Sequence, residues 1–218
     1  MKTENAVLMK MARESLKGKW GLAVGGFFVY MLISMVISFI PVVGSIASIF
    51  ITGPFMLGII FFSLAISRNQ EAKVHQIFDG FNHFVKALGA YWLMVLFIML
   101  WSLLLIIPGI IAAFSYSMTF YILADNPSMK AMEAIDQSKK IMQGYKWKLF
   151  FLQLRFLGWA LLSLLTFGIG FLWLMPYIQI SMAKFYDDIK GGEQMKTEEA
   201  SKMEQAPQAE VVASPTVA

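Results

Sequence analysis

The sequence predicts an all-α, polytopic membrane protein: six transmembrane helices arranged as three hairpins, with amphipathic interfacial helices and both termini cytoplasmic. Three observations predict it. Hydrophobic residues make up 58% of the 218 residues and charged residues 15%, against roughly 45–50% and about 25% in a soluble domain. The apolar residues are gathered into runs long enough to cross a bilayer. Lys and Arg are confined to alternate connections between those runs. A chain of this size has no single core large enough to hide so much apolar surface. The composition therefore argues against a soluble enzyme, a disordered chain and a nucleic-acid partner.

A hydrocarbon core about 30 Å thick takes about 20 apolar residues per helix. The first span reads as Gly21 to Ile40, broken by Pro41 and Gly44. The second runs from Val42 to Ile66, the third from Leu88 to Ile107, stopped by Pro108-Gly109. The fourth is Ile110 to Ala124, the fifth Leu149 to Phe167, and the sixth Ile169 to Ala183. The fourth and sixth are short. Twenty mostly polar residues precede the first span, and its apolar run is too long for a signal h-region, so it reads as a retained membrane helix.

Charge gives the orientation. Lys2, Lys10, Arg13, Lys17 and Lys19 precede the first span; Arg68, Lys73 and Lys86 lie between the second and third; Lys130, Lys139, Lys140, Lys146 and Lys148 lie between the fourth and fifth. The turns at Pro41, Pro108 and Gly168 carry no charge. By the positive-inside rule both termini are cytoplasmic. Residues 1–190 hold 16 Lys/Arg and 9 Asp/Glu, a net +7; residues 191–218 hold 2 and 5, a net −3. That last stretch is rich in Glu, Gln, Ala and Pro with no aromatic residue, and reads as a disordered cytoplasmic tail after a transmembrane domain of residues 1–190.

The chain reads as three copies of one unit: amphipathic stretch, basic or aromatic junction, apolar hairpin. Gly18-Lys19-Trp20, Gly89-Ala90-Tyr91-Trp92 and Tyr145-Lys146-Trp147 open the three hairpins. Ala131, Ala134, Ile135, Ser138 and Met142 form a helical stripe, with Asn126-Pro127 as the expected helix start. Val74, Ile77, Phe78, Phe81, Val85 and Leu88 form another, interrupted at Asp79-Gly80. Such helices either lie in the headgroup layer or cap the bundle. Lys19, Trp20, Lys146, Trp147 and Lys148 are the expected lipid-interface residues, and anionic lipid headgroups the expected partner.

These residues carry a resemblance. Gly18-Lys19-Trp20, Phe78-Asp79-Gly80-Phe81, Ile106-Ile107-Pro108-Gly109-Ile110, Tyr121-Ile122-Leu123-Ala124-Asp125-Asn126-Pro127 and Lys146-Trp147-Lys148-Leu149-Phe150 resemble the integral-membrane family called domain of unknown function nine hundred seventy-five. The resemblance covers about residues 12–190. It implies a bacterial cytoplasmic-membrane protein and brings no catalytic residue with it.

Catalytic groups are scarce. With no cysteine there is no disulfide scaffold and no thiolate metal site. His75 and His83 are eight apart, a poor metal spacing, and no metal or other cofactor is expected. Asp187-Asp188 reads as a helix-end charge pair, and Gly21…Gly25 as a close-packing motif, within the chain or against a second copy or another membrane protein. The intramembrane polar and kink residues are Pro54, Ser115, Thr119, Arg155, Pro176 and Gln179. Arg155 either serves a site or snorkels to the interface. Pro54 and Pro176 sit at matching places in two repeats, and matched interruptions point to a substrate site or to a copied kink. Two functions follow: a non-enzymatic protein interacting with lipid or other membrane proteins, or a small transporter of a hydrophobic or amphipathic solute. A headgroup enzyme would need Asp79, Asp125 or Asp187.

Overall fold

The computed structural model describes residues 3–40 and 43–212. All regular structure among them is helical. The first unit is α1 (Asn5–Leu16), α2 (Trp20–Ser38) and α3 (Val43–Ser67). The second is α4 (Gln76–Asp79) with a 3-10 turn (Gly80–His83), then α5 (Phe84–Leu104), α6 (Ile106–Tyr116) and α7 (Thr119–Asp125). The third is α8 (Ala131–Ile141), α9 (Lys146–Leu165) and α10 (Phe171–Val212). Each hairpin thus follows a short helix whose apolar stripe packs on the bundle.

Among the described residues, five segments are long and apolar enough to cross a membrane: Trp20–Ser38, Ile46–Ser67, Gln76–Leu104, Ile106–Asp125 and Lys146–Leu165. The sixth expected span falls short of that measure. The apolar part of α10 ends at Ala183, where Lys184, Asp187 and Asp188 follow. At 1.5 Å per residue it covers only about 20 Å.

The two arms of a hairpin have different places. The second arms form the interior: 67% of the α3 span and 56% of the α6–α7 span are buried, against 17%, 11% and 22% for α2, α5 and α9. Tyr186 and Phe185 of α10, Phe62 of α3 and Phe120 of α7 are fully buried where these arms meet. The first arms present exposed Met31, Met35, Leu96, Met99, Leu154 and Leu161, a surface suited to lipid.

The repeat has a structural mark. At each hairpin turn a glycine lies against the residue seven before it: Gly44 on Ile37, Gly109 on Ser102, Gly170 on Ser163. A side chain at any of the three would collide with the first arm. Numbered from these glycines, Pro54 comes ten residues after its turn and Pro176 six. The two prolines therefore do not occupy matching places.

Other boundaries also move. The break after α5 is at Leu105, an extended residue (φ −163°), so Pro108 lies inside the first turn of α6, where its missing N–H costs nothing. The fourth span is not one helix. It breaks at Ser117-Met118 into α6 and α7, and Ser138 of α8 bridges the gap: its Oγ donates to the Ser115 carbonyl (2.8 Å) and accepts the Met118 N–H (3.2 Å). Asn126 closes α7 instead of opening α8, which starts at Ala131 with Glu133 accepting the Lys130 N–H. Backbone helix continues in α10 through Val212, where composition predicts disorder; the segment is rich in the helix formers Ala, Glu, Lys, Gln and Met. The expected break at Pro41 and the tail beyond Val212 lie outside the described residues.

The connection from α3 to α5 does not lie in a surface plane. It folds back along α3, with Gly80 on the Pro54 carbonyl and the Ile77 carbonyl on Gly58. Pro54 is fourteen residues before Arg68, so the chain retraces about 20 Å of the helix. Only glycine permits this approach, since a Cβ at either position would collide with backbone.

Candidate functional site

The inner arms α3, α7 and α10 end together, and each contributes charge at that end. Arg68, one residue beyond α3, grips Asp125 at the end of α7 with both arms of its guanidinium, Nη1 to Oδ1 at 2.7 Å and Nη2 to Oδ2 at 3.0 Å. The same Nη2 donates to Asp187 of α10 at 2.6 Å, and Nε at 3.2 Å. The Tyr186 hydroxyl (3.0 Å) and the Lys190 ammonium also donate to Asp125. The hydrogen bond to Asp125, joined by those to Asp187, outweighs burial and holds the Arg68 pKa above its ordinary value. Burial pulls the neighbouring Lys184 ammonium below its ordinary value, although Asp187 opposes this. Lys184 donates to the Ser67 carbonyl, at the negative end of α3.

A second pair closes the third hairpin. Lys148 at the start of α9 donates to Asp188 of α10 at 2.6 Å, with the ammonium over the Phe185 and Tyr145 rings. Thr3 donates to the same carboxylate. Asp187 and Asp188 thus face opposite clusters, one tying α10 to α3 and α7, the other tying it to α9.

The sequence-derived polar residues have mixed fates. Ser115 and Thr119 do not share a helix face, because the break at Ser117-Met118 separates them. Their hydroxyls donate locally, to the Ile111 carbonyl (2.7 Å) and the Tyr116 carbonyl (2.8 Å). Gln179 accepts from Tyr121 at 3.1 Å inside the bundle. Pro54 is packed under Gly80, and Pro176 is buried in α10. Arg155 is exposed on α9, and among the described residues it has no hydrogen bond or ion pair. At the interface, Trp147 is 73% exposed beside Phe150 and Phe151, and Lys146 stands clear of any acid. Lys19 reaches the Gln70 carbonyl and Trp20 is half-buried. Lys148, by contrast, is turned inward to Asp188 and has no charge free for a headgroup. A Cβ at Gly21 or Gly25 would meet nothing within 4 Å, so the motif makes no close helix contact within this bundle.

Two cavities stand out among the described residues. The first is a lateral groove of about 380 Å³ between the turn-side halves of α9 and α10 and the α1–α2 corner. Trp20, Trp159, Leu162, Trp173, Leu174 and Tyr177 line it, Ser163, Thr166 and Gly170 close the turn end, and Arg13 stands at the other. Arg155, Trp159, Leu162 and Thr166 follow at helical spacing on one face of α9, so Arg155 is one turn beyond the groove on its line. The second is a polar cavity of about 470 Å³ between α3, the folded-back segment and the end of α7. Arg68, Gln70, Gln76, Asp79, Asn82, His83 and Asp125 give it its polar wall, and Phe61, Leu64 and Ala65 its floor.

The model of the family described as Protein of unknown function (DUF975) matches the chain over residues 1–115 and 103–193. The chain belongs to that family. Among curated proteins and solved structures none matches. The two matched stretches contain all three hairpins, the Arg68 cluster and both cavities, and stop within α10. The sequence signals for the Arg68 cluster were present as isolated charges at the ends of apolar runs. What joins Arg68 to Asp125 and Asp187 is the meeting of three second arms, which spacing along one chain does not reveal.

Proposed function

We propose that this family member is a non-enzymatic, multi-pass protein of the bacterial cytoplasmic membrane, with both termini inside, that holds an anionic amphiphile against its side. The observation that carries this reading is the lateral groove. Its wall is aromatic and aliphatic, it has no acidic residue, and Arg13 stands at its end. Arg155 adds a second unpaired cation on the same face of α9. An apolar slot for a chain beside free guanidinium groups matches a lipid with a phosphate or carboxylate head. The exposed Trp147 and the free Lys146 support a protein that meets anionic lipid at the same leaflet. Of the three acids a headgroup enzyme could use, Asp125 and Asp187 are both engaged by Arg68.

The test uses the groove's own tryptophans, Trp20, Trp159 and Trp173, in a protein with Trp92, Trp101 and Trp147 replaced by phenylalanine. The protein is placed in nanodiscs containing brominated phosphatidylglycerol or brominated phosphatidylcholine, and tryptophan quenching is measured. Stronger quenching by phosphatidylglycerol, reduced to the phosphatidylcholine level by Arg13→Gln with Arg155→Gln, supports the reading. Equal quenching by the two lipids with both arginines in place overturns it.

One observation favours a second reading, a small transporter. The folded-back segment and the end of α7 border a polar cavity, and non-helical backbone that lines a polar cavity is how transporters build sites. The support for that reading therefore moves from Pro54, Pro176 and Gln179 to the cavity wall.

A further inference from the structure

The polar cavity has an uneven balance of committed and free groups. The Arg68 guanidinium is taken by two carboxylates, and Asp125 by Arg68, Tyr186 and Lys190. The nearby cations are also engaged: the Lys86 ammonium donates to the Pro127 carbonyl at 2.5 Å, and Lys73 pairs with Glu71 at 2.8 Å. Gln76 accepts the Lys73 N–H and donates to the Glu71 carbonyl. Three lining side chains have no hydrogen bond or ion pair among the described residues: Asp79, Asn82 and His83. They follow at i, i+3 and i+4, so the segment turns one face, with all three, into the cavity. The His83 ring lies 6.3 Å from the Phe61 ring, which forms part of the floor.

The free groups are thus one carboxylate, one amide and one imidazole, with an aromatic ring beneath them, and the one Lys or Arg among the described lining residues, Arg68, is committed to two carboxylates. This set accepts hydrogen bonds and positive charge. It has no free cation for an anion and too few acidic ligands for a bare divalent ion, which takes six or more oxygens or keeps much of its water. An alkylammonium group fits it: N–H donors for Asp79, Asn82 and His83, charge for Asp79, and a cation–π face on Phe61. The volume of about 470 Å³ is within the range of small-molecule sites. We propose that this cavity binds a small organic amine through its ammonium group, with Asp79 as the counter-ion and Asn82 and His83 as acceptors. The proposal rests on this cavity alone and stands or falls separately from lipid binding at the groove.

Thermal unfolding of the full chain in nanodiscs tests it, with putrescine and ethylamine as probes, glutamate as the anionic control and Mg²⁺ as the inorganic cation. A ligand at ten times its Kd raises the unfolding midpoint of a protein this size by roughly 3–6 °C. The expected result is such a rise with the amines, none with glutamate, and loss of the amine response in Asp79→Asn. Asp79 has no hydrogen bond or ion pair among the described residues, and the response of Asp79→Asn is read against its own midpoint without ligand; Asn82→Leu, from an exposed position on the same wall, must abolish the response as well. Trp159→Ala in the groove must leave it intact. A response to amines that survives both Asp79→Asn and Asn82→Leu overturns the proposal. So does stabilisation by Mg²⁺ or glutamate with no response to amines, or no response to any probe.

Discussion

Arg68 and Asp125, fifty-seven residues apart, meet arm to arm: Nη1 to Oδ1 at 2.7 Å and Nη2 to Oδ2 at 3.0 Å. The pair ties the first hairpin to the second, and the bond from Arg68 to Asp187 brings in the third. Planar, two-armed contact with two carboxylates is a property of guanidinium that an ammonium lacks.

Arg68→Lys is accordingly not conservative. Its ammonium cannot keep the two-armed grip on Asp125 and reach Asp187 as well. Asp125 retains Lys190 and Tyr186, so Asp187, about a third exposed, is the acid left without its partner. For a part-buried pair the loss is about 1–2 kcal/mol, which for a chain this long lowers the unfolding midpoint by roughly 2–8 °C. Because the cost is unpaired charge, Arg68→Met combined with Asp187→Asn, which leaves Asp125 with Lys190 and Tyr186, is expected to recover most of the loss, as read by thermal unfolding in detergent.

Ser138 carries a similar burden at the break in the fourth span. It is fully buried and serves both a carbonyl of α6 and an N–H at the start of α7. Ser138→Ala leaves both unpaired and is expected to cost about 1–3 kcal/mol. Ser117→Ala, which removes only a bond to the Phe114 carbonyl one turn back, is expected to change stability by much less in the same assay.

Two glycine substitutions separate packing from propensity. An alanine methyl at Gly58 would collide with the Ile77 carbonyl, which belongs to backbone and cannot rotate away. Gly58→Ala is expected to destabilise by about 1–3 kcal/mol or more, as overpacked positions do. Gly25→Ala meets nothing within 4 Å and is expected to be neutral, or stabilising by up to about 1 kcal/mol.

The two junction lysines should behave differently in a vesicle assay. Lys146 has no acid beside it, so Lys146→Ala is expected to weaken salt-sensitive association with phosphatidylglycerol vesicles without altering the unfolding midpoint. Lys148 is 13% exposed and paired with Asp188 at 2.6 Å. Lys148→Ala is expected to lower the midpoint instead, with little further change in the salt dependence.

The all-helical class, the long apolar helices and the buried stripe of α8 were legible in the sequence, because each is a pattern of apolar spacing within one segment. Ala134, Ile135, Ser138 and Met142 are all buried, as that spacing predicts. What was not legible came from contacts between segments. Ser115 and Thr119 are four apart, which puts them on one face only if the helix is continuous; Ser138, from another unit, stabilises the break that separates them. Asp79-Gly80 read as an interruption of a surface helix, yet its glycine is what allows the segment to lie on Pro54. Lys148 counted as a surface cation by its neighbours Lys146 and Trp147, and only the approach of Asp188 takes it out of the interface.

Water is expected at the wall of the folded-back segment and is excluded from the middle of the bundle, where Gln179 is held by Tyr121. Single cysteines in this cysteine-free chain test that directly, with a small membrane-impermeant thiol reagent applied to each side of oriented vesicles. Asn82→Cys is expected to react from the side carrying the lysine-rich connections. Gln179→Cys and Ser115→Cys are expected to stay unreacted from both sides. Reaction at Gln179→Cys or Ser115→Cys, or protection of Asn82→Cys from both sides, would contradict the account.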